Sequence, residues 1–230
     1  MTSGQQRGAD ILIVASHAPD LAGMRPYLSE RLDGVIRNLR IKAKIVGVGG
    51  AVAAAGAARG ILAVQPRAVV MLGTCGVYPG LGQYRPHDVM VPSRAHVLCH
   101  AALAGRAAYP EPMTTSLECH PLMGAALQQS HPRAFRAAVA SPVALTIDDA
   151  LAASVHPSTG WEAENLELFG VASACAASEI PFSAALGVTN IIGSTGRHDW
   201  AQFQRDAVTA AANAVATWVH NGAQGLPHGE

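Results

Sequence analysis

The chain has 230 residues, of which half are apolar and only 14% are charged. This composition is typical of a globular protein with a substantial core and excludes a disordered chain. The 16 basic and 16 acidic residues balance without a basic block, which disfavours nucleic-acid binding. No apolar run approaches the roughly 20 residues that span a bilayer, and the polar first ten residues do not resemble a signal peptide.

The chain shows no internal division or repeat. We expect residues 1–9 to form a flexible leader, 10–222 a single domain and 223–230 a flexible tail. The four cysteines are widely scattered and include no CxxC pair, which indicates reduced thiols and a cytoplasmic protein. They are Cys75, Cys99, Cys119 and Cys175.

Apolar runs bounded by turn residues alternate with helical patterns along the chain. The runs predict strands at 10–15, 43–48, 68–73, 88–93, 142–147 and 181–188. The helical patterns cover 20–32, 51–65, 117–129, 162–178 and 199–221. This alternation predicts an α/β protein, a three-layer α/β/α sandwich with a central mixed sheet. The segment 101–116 is the most loop-like and is predicted to form a lid or an interface.

In α/β sheets, ligands bind beyond the carboxyl ends of the strands. The residues that follow the predicted strands are therefore candidates for a site. They are residues 16–20, 49–50, 73–76, 146–149 and 189–190.

Two glycine-rich turns belong to this set. In "VGVGGAVAAAGAA" (46–58), a turn precedes an Ala-rich helix, so that backbone amides can approach a ligand. The sequence is not GxGxxG and no acidic residue follows at the required distance, which disfavours a dinucleotide. In "GTCG" (73–76), the Thr74 hydroxyl and nearby amides would form a polar cup, whereas Cys75 is predicted to be a buried filler. Glycines needed only for tight strand–helix packing would explain the first of these turns equally well.

Two of the four glutamates in "WEAENLELFGVASACAASEIPF" (161–182) are candidates for a site, Glu164 and Glu167. Glu167 falls among apolar residues near the start of a helix, where a carboxylate is costly to bury without a hydrogen-bonding ligand. Glu164 is predicted to face solvent. The sequence therefore points to Glu167 as the acid of a binding site.

The histidines give weaker indications. His96, Cys99 and His100 are residue types that ligate metals. An extended segment would not bring their side chains together, so no metal site is predicted. His17 follows the first strand, where a role in a site stays open.

The motifs together resemble the nucleoside phosphorylase and nucleosidase superfamily over nearly the whole chain. "GTCG" followed by His87-Asp88-Val89 is similar to that superfamily's GTCG/GSAG and Gly-Asp-Val, with His87 in place of glycine. Leu166-Glu167 matches its Met-Glu, and Thr189-Asn190 its Ser-Asp. "AENLELFGVA" and "VTNIIGSTGRHDW" are most similar to the futalosine hydrolase family, in which asparagine also replaces the aspartate.

The resemblance implies a phosphorylase/hydrolase-like fold and the hydrolysis of a purine nucleoside. It implies that Asp20 activates water, that Glu167 holds the ribose hydroxyls and that Asn190 stabilises the departing base. Further substrate contacts implied are with Gly73, Thr74, Leu151, Leu166 and Phe169. It also implies that no metal or organic cofactor is required and that the protein is a homo-oligomer.

The type of residue 190 bears on the base. Asparagine has donors and an acceptor but no titratable proton, so Asn190 cannot act as the general acid that an aspartate would supply. Its NH₂ can donate to a 6-oxo oxygen while its carbonyl accepts from a protonated ring nitrogen. This favours a 6-oxopurine base, and the resemblance implies futalosine as the substrate, with release of hypoxanthine in menaquinone biosynthesis.

Three alternatives stay open. Phosphorylases of this kind carry an arginine where this chain has Met71, which favours water as nucleophile, although Arg25 keeps a purine nucleoside phosphorylase as an alternative. The others are a nucleosidase acting on methylthioadenosine or S-adenosylhomocysteine and a nucleoside-binding protein without catalysis. Asp20 is one methylene shorter than the nucleosidase glutamate.

Overall fold

The computed structural model describes residues 8–228. Within this range the chain forms nine strands, six α-helices and one 3₁₀ helix. In chain order these are β1 (Ile11–Ala15), the 3₁₀ helix (Ala18–Tyr27), β2 (Asp33–Ile36), β3 (Leu39–Ile45), α1 (Gly50–Val64), β4 (Ala68–Val77), β5 (Val89–Leu98), α2 (His100–Leu103), β6 (Ser116–Glu118), α3 (Pro121–Gln129), β7 (Ala134–Pro142), α4 (Asp149–Thr159), β8 (Ala163–Glu164), α5 (Leu168–Ala177), β9 (Phe182–Ile191) and α6 (Gly196–His220).

The strands form one mixed sheet, as predicted. Its main path runs β2-β3-β1-β4-β8-β7-β5-β6, and β9 pairs with both β4 and β5. The strands β4, β9, β5, β7 and β8 therefore close into a ring, with β2, β3 and β1 extending from one side. Strand β1 is parallel to β3 and β4, and β4 is parallel to β9, so the carboxyl ends of β1, β4 and β9 lie at one edge.

Helices cover the sheet on two sides, which gives the predicted three layers. One apolar core contains residues of α1 and α5, among them Ala57 and Val171, and the other contains residues of α6 such as Val215 and Trp218. Strand β1 contributes to both cores with alternating residues, Leu12 and Val14 to the first and Ile11 and Ile13 to the second. A run that is buried on both faces explains why "ILIVA" has no polar residue.

The register between β4 and β9 contains a bulge. Cys75 pairs with Val188 and Gly76 with Asn190, which leaves Thr189 without a partner in β4. A bulge inserts one residue and bends the strand locally. It places Asn190 directly beside Gly76.

Several elements differ from the sequence predictions. The strand expected at 142–147 is β7, which ends at Pro142, and the apolar residues after it lie in an exposed loop. The helix expected at 162–178 is shortened to α5, because Ala163 and Glu164 pair with β4 and β7 as strand β8. Strand β3 overlaps the strand predicted at 43–48 only at residues 43–45. Sequence patterns alone missed β2, which pairs with β3, and α4, which is capped by Asp148 through the Leu151 N–H at 2.7 Å.

The ends of the described range pack against the domain. Ala9 is fully buried and Gly8 donates to the Val64 carbonyl at 2.8 Å, so the part of the expected leader that is described belongs to the fold. Residues 1–7 and 229–230 lie outside the described residues. In the expected tail, Ala223 is buried and the Pro227 carbonyl accepts a hydrogen bond from Arg67. Residues 223–228 thus remain on the domain surface.

No helix between residues 8 and 228 is both long and apolar enough to cross a membrane.

Helices α1 and α5 approach each other closely at two glycines. A Cβ added to Gly170 would lie 2.0 Å from the carbonyl oxygen of Gly50, far inside van der Waals contact. Because the clashing atom belongs to the backbone, no rotamer change can relieve it. Gly170 therefore permits the contact that joins the start of α1 to α5.

We expect Gly170→Ala to lower the free energy of unfolding by about 1–3 kcal/mol, because the new methyl group forces two packed helices apart. Urea denaturation measures the change. Gly82→Ala is the matched control, since no atom lies within 4 Å of its added Cβ. Equal denaturation midpoints for the two variants would contradict the proposed close contact.

Candidate active site

A cavity of about 640 Å³ opens at the carboxyl ends of β1, β4 and β9. Four of the five segments predicted to follow strands converge there and contribute residues to its wall; residues 49–50 do not line it, although the preceding Val48 does. Those that line it include Ser16, His17, Asp20, Val48, Thr74, Cys75, Gly76, Leu145, Thr146, Ile147, Glu164, Asn165, Leu166, Glu167, Thr189, Asn190, Ile192, Gly193, Gly196, Arg197 and Trp200.

Asp20 is a buried carboxylate on the β1 side of the cavity. Its Oδ2 accepts a hydrogen bond from the Ser16 hydroxyl at 2.8 Å and lies 2.9 Å from Nδ1 of His17. Burial raises the pKa of Asp20, and the bonds from Ser16 and His17 only partly offset this effect. Both contacts involve Oδ2, so Oδ1 retains its lone pairs for a water or a substrate.

Glu167 is the second buried carboxylate, immediately before α5. Its Oε1 accepts a hydrogen bond from the Gly49 backbone N–H at 2.9 Å, so the glycine-rich turn before α1 contacts this acid. Burial raises the pKa of Glu167, the bond from Gly49 lowers it, and the nearby charge of Asp20 raises it again. The ionisation of Glu167 is therefore coupled to the charge of Asp20.

Asn165 connects Glu167 to strand β4. Its Oδ1 accepts hydrogen bonds from the N–H groups of Glu167 and Leu168, at 3.0 and 2.8 Å, while its Nδ2 donates to the Thr74 carbonyl at 2.9 Å. The side chain satisfies otherwise unpaired amides at the start of α5. Sequence reasoning missed Asn165, and an asparagine two residues before a buried helix-terminal acid was the available signal.

Asn190 lies near the end of β9, on the other side of β4 from β1. Its Nδ2 donates to the Ile191 carbonyl at 3.0 Å, and its Oδ1 lies 2.7 Å from the Thr189 hydroxyl. Because the Ile191 carbonyl can only accept, this contact orients the amide. A Cβ on Gly76 or Gly196 would lie 2.9 or 2.8 Å from Nδ2, so a side chain at either position would displace the amide from this arrangement.

Thr74 is positioned by a residue far along the chain. Its hydroxyl accepts a hydrogen bond from the indole N–H of Trp200 in α6, at 3.1 Å. The indole also lines the cavity. The aromatic residue of the "GRHDW" segment thus reaches the "GTCG" turn.

Glu164 differs from its predicted position. It was expected to face solvent, but it is only 5% exposed and lines the cavity. Its carboxylate accepts hydrogen bonds from the Tyr78 hydroxyl at 3.0 Å and from the N–H and hydroxyl of Thr146 at 3.1 and 2.6 Å. Burial and the charge of Glu164 raise the pKa of Tyr78. The cavity therefore contains three carboxylates, where the sequence indicated two.

The remaining predicted contacts lie outside the cavity wall. Gly73 is inside β4, one residue before the part of the strand that reaches the cavity, and Leu151 lies in the first turn of α4. Phe169 packs against the core behind α5. Leu145 and Ile147, in the loop after β7, line the cavity instead of Leu151.

The histidines considered as metal ligands have other partners. His96 stacks on Trp161 with ring centroids 4.7 Å apart, and His100 Nε2 lies 2.9 Å from the Thr146 hydroxyl. Among residues 8–228 there is no group of three or more His, Cys, Asp or Glu side chains arranged to hold a metal ion.

Comparison with known proteins assigns the family. The model of the phosphorylase superfamily matches residues 35–220, and the chain belongs to this superfamily. A search of curated proteins finds no match.

Solved structures share the fold at low identity. The 5'-methylthioadenosine/S-adenosylhomocysteine nucleosidase of Colwellia psychrerythraea, solved with adenine, is 16% identical, with a TM-score of 0.83 over 97% of this chain and 99% of that one. The corresponding nucleosidase of Neisseria meningitidis is also 16% identical, with a TM-score of 0.79 over 92% and 98%. The futalosine hydrolase of Helicobacter pylori is 13% identical, with a TM-score of 0.81 over 92% and 97%.

The raised pKa of Asp20 predicts a pH-dependent cost of keeping this carboxylate ionised. The protonated Asp20 contributes to stability fully below the ordinary pKa of 3.8. This contribution is lost as the pH rises through the higher pKa of Asp20 in the folded protein. Asn does not titrate, so we expect Asp20→Asn to gain stability relative to the wild type as the pH rises from about 4, until Asp20 is fully ionised in the folded protein.

Thermal unfolding of both proteins across this pH range measures the effect. Asp206→Asn, which changes an exposed carboxylate on α6, serves as control and should show no such trend. Parallel stability curves for Asp20→Asn and the wild type would contradict the prediction.

Proposed function

We propose that the protein hydrolyses the N-glycosidic bond of a purine nucleoside with a 6-oxopurine base. The observation that carries this proposal is the convergence of Asp20, Glu167 and Asn190 on one cavity at the carboxyl ends of the strands. The proposed substrate is futalosine or a related nucleoside, with release of hypoxanthine for menaquinone biosynthesis. The likeness of "AENLELFGVA" and "VTNIIGSTGRHDW" to futalosine hydrolases supports this choice.

Asp20 is the proposed base for the attacking water. The water oxygen bonds to C1′ of the ribose while its proton passes to Oδ1 of Asp20, and the C1′–N9 bond breaks with its electron pair going to the purine. Ser16 and His17 hold Oδ2 and thereby fix the carboxylate. Burial raises the pKa of Asp20 above its ordinary value, and a raised pKa makes the ionised carboxylate a stronger base.

Glu167 is the proposed ligand of the ribose hydroxyls. The Gly49 N–H holds its Oε1, which leaves Oε2 to accept from the sugar. A negative charge near the ribose also stabilises the positive charge that develops on the sugar as the bond breaks. Thr74 and Leu166 also line the proposed ribose site, and the indole N–H of Trp200 donates to the Thr74 hydroxyl.

Asn190 is the proposed recognition element for the base. One amide hydrogen is used by the Ile191 carbonyl and one lone pair of Oδ1 faces the Thr189 hydroxyl. One donor and one acceptor remain, and they match the 6-oxo oxygen and a protonated N7 of the leaving purine. An adenine amino group would instead meet the remaining amide hydrogen, which leaves donors opposed.

The two positions considered for phosphate binding, Met71 and Arg25, do not line the cavity, which favours water as nucleophile; Arg197 is the arginine of the cavity wall. Met71, which replaces the phosphate-binding arginine of related phosphorylases, is fully buried in β4. Arg25, the residue that kept a phosphorylase as an alternative, is exposed and does not line the cavity. A phosphate dianion is held most firmly by a bidentate arginine.

We also propose a cytoplasmic homo-oligomer. The four cysteines are free thiols, as a reducing compartment requires. Val48, Leu145 and Ile147 line the cavity yet are 60, 57 and 69% exposed. Apolar side chains that rim a site are typical of an interface with another subunit.

Incubation with futalosine, inosine or methylthioadenosine in phosphate-free buffer tests the proposed reaction. We expect free hypoxanthine from at least one oxopurine substrate, at a rate that added phosphate does not increase. Chromatography detects the base. No hypoxanthine from either oxopurine nucleoside would overturn the proposal, and strict dependence on phosphate would identify a phosphorylase.

Substitution of the base-recognition residue should change the choice of substrate. We expect Asn190→Asp to raise the kcat/KM ratio of methylthioadenosine to inosine by at least about tenfold, because a carboxylate accepts from the 6-amino group and, when protonated, donates to N7. Steady-state assays of both substrates measure the ratio. Asn213→Asp, on α6 away from the cavity, is the control. An unchanged ratio would contradict the role of Asn190.

A further inference from the structure

Arg197 is a cation in the wall of the cavity that has no role in the reaction just described. It is the second residue of α6, and its side chain is exposed. Among residues 8–228, no ion pair involves Arg197. The same wall contains three buried carboxylates, so a guanidinium that pairs with none of them requires an explanation.

The acids beside the start of α6 are held by other groups. Asp149 accepts hydrogen bonds from the N–H and the hydroxyl of Ser194, at 2.7 and 2.9 Å. Asp199 accepts from the Thr195 hydroxyl at 3.2 Å. Neither acid forms an ion pair with Arg197, so holding the start of the helix does not explain the guanidinium.

The helix presents Arg197 on a face that is fixed at the cavity. Trp200, three residues later, also lines the cavity, and residues three apart are neighbours on one face of a helix. The Trp200 indole N–H donates to the Thr74 hydroxyl at 3.1 Å. This hydrogen bond holds the first turn of α6 against the carboxyl end of β4, and the Arg197 side chain extends from that turn.

The position of Arg197 is on the side of the cavity where the base is proposed to bind. Arg197 follows Gly196, and a Cβ on Gly196 would lie 2.8 Å from Nδ2 of Asn190. Asp20 follows β1, and β4 separates β1 from β9. Two strand spacings amount to about 10 Å. The guanidinium is therefore next to the residue proposed to hold the base and away from the attacking water.

The proposed reaction leaves a charge on the purine that Asn190 cannot remove. The C1′–N9 bond breaks with its electron pair going to the purine, and a neutral amide has no proton to give. Asn190 can accept from an N7–H group only after solvent has protonated N7. Until then the departing base is negative, and the three carboxylates of the cavity cannot stabilise it.

We propose that Arg197 is a catalytic residue that stabilises the negative charge of the departing purine. Its N–H groups donate to the ring as the electron pair of the broken bond moves onto it. The purine then takes a proton from water and Asp20 returns its proton to solvent, so that the protons balance. A cation thereby takes the place of an acid at position 190. The inference rests on the proposed function, because it concerns the base released from the same substrate.

Substrates whose leaving groups need different degrees of stabilisation test this role. An oxopurine nucleoside methylated at N7 has a positively charged ring and releases a neutral base, so it needs no cation. A 4-nitrophenyl riboside is a second probe, because its leaving group disperses the charge over the nitrophenyl ring. Steady-state assays compare kcat/KM for these two probes with kcat/KM for the parent nucleoside, inosine or futalosine.

We expect Arg197→Gln to lower kcat/KM for the parent nucleoside about 100-fold, as removal of one donor to a developing anion does in other enzymes. The values for the two probes should stay nearly unchanged. Arg197→Lys keeps the charge and should recover part of the loss. Arg205→Gln is the matched control, because Arg205 is another exposed arginine of α6 and does not line the cavity. It should retain the wild-type values for all substrates.

Equal losses for the parent nucleoside and both probes would overturn the role of Arg197, even if the wild-type protein releases hypoxanthine. If the parent nucleoside is cleaved only when phosphate is added, the proposed hydrolysis fails, whereas a selective loss in Arg197→Gln would still support the role at the base. A wild-type protein that cleaves none of these substrates would overturn both proposals.

Discussion

The site depends on the side chain of Asn165. This amide holds the first turn of α5 against the carboxyl end of β4 through three hydrogen bonds, and Glu167 follows it in the chain. Glu167 in turn binds the turn before α1. Without Asn165, the amides of Glu167 and Leu168 and the Thr74 carbonyl would each lose a partner. A single neutral residue thus positions a strand end, a helix start and a glycine-rich turn.

Burial of three carboxylates in one cavity is tolerated because each has a different set of donors. Asp20 is held by a hydroxyl and an imidazole, Glu167 by a backbone amide and Glu164 by two hydroxyls and an amide. The donors to all three are hydroxyls, backbone amides and one imidazole, and none is a lysine or an arginine. Three acids against one arginine, Arg197, give the cavity wall a negative character, which suits a sugar that becomes positive and disfavours an anionic nucleophile.

The sequence predicted the alternation of strands and helices and, through the rule on strand ends, the segments that form the cavity. Asp20, Thr74, Glu167 and Asn190 were found in this way because each lies just beyond an apolar run or in a recognisable motif. Glu164 was misplaced because its burial arises from pairing with β4 and β7, which are distant in the chain. The segment after β7 was predicted to be a strand because its sequence is apolar. In the structure it is a loop whose apolar residues, Leu145 and Ile147, line the cavity and are exposed instead of entering the core.

The bulge at Thr189 has a consequence for how such a protein can change over time. Thr189 is fully buried, whereas the next residue, Asn190, is half-buried beside a glycine at a point where the ladder is already interrupted. The buried residue holds the strand end, through the contact of its hydroxyl with the Cys75 carbonyl. Asn190 itself is therefore not needed to hold the strand end. A different side chain at position 190 can arise without a compensating mutation in the sheet.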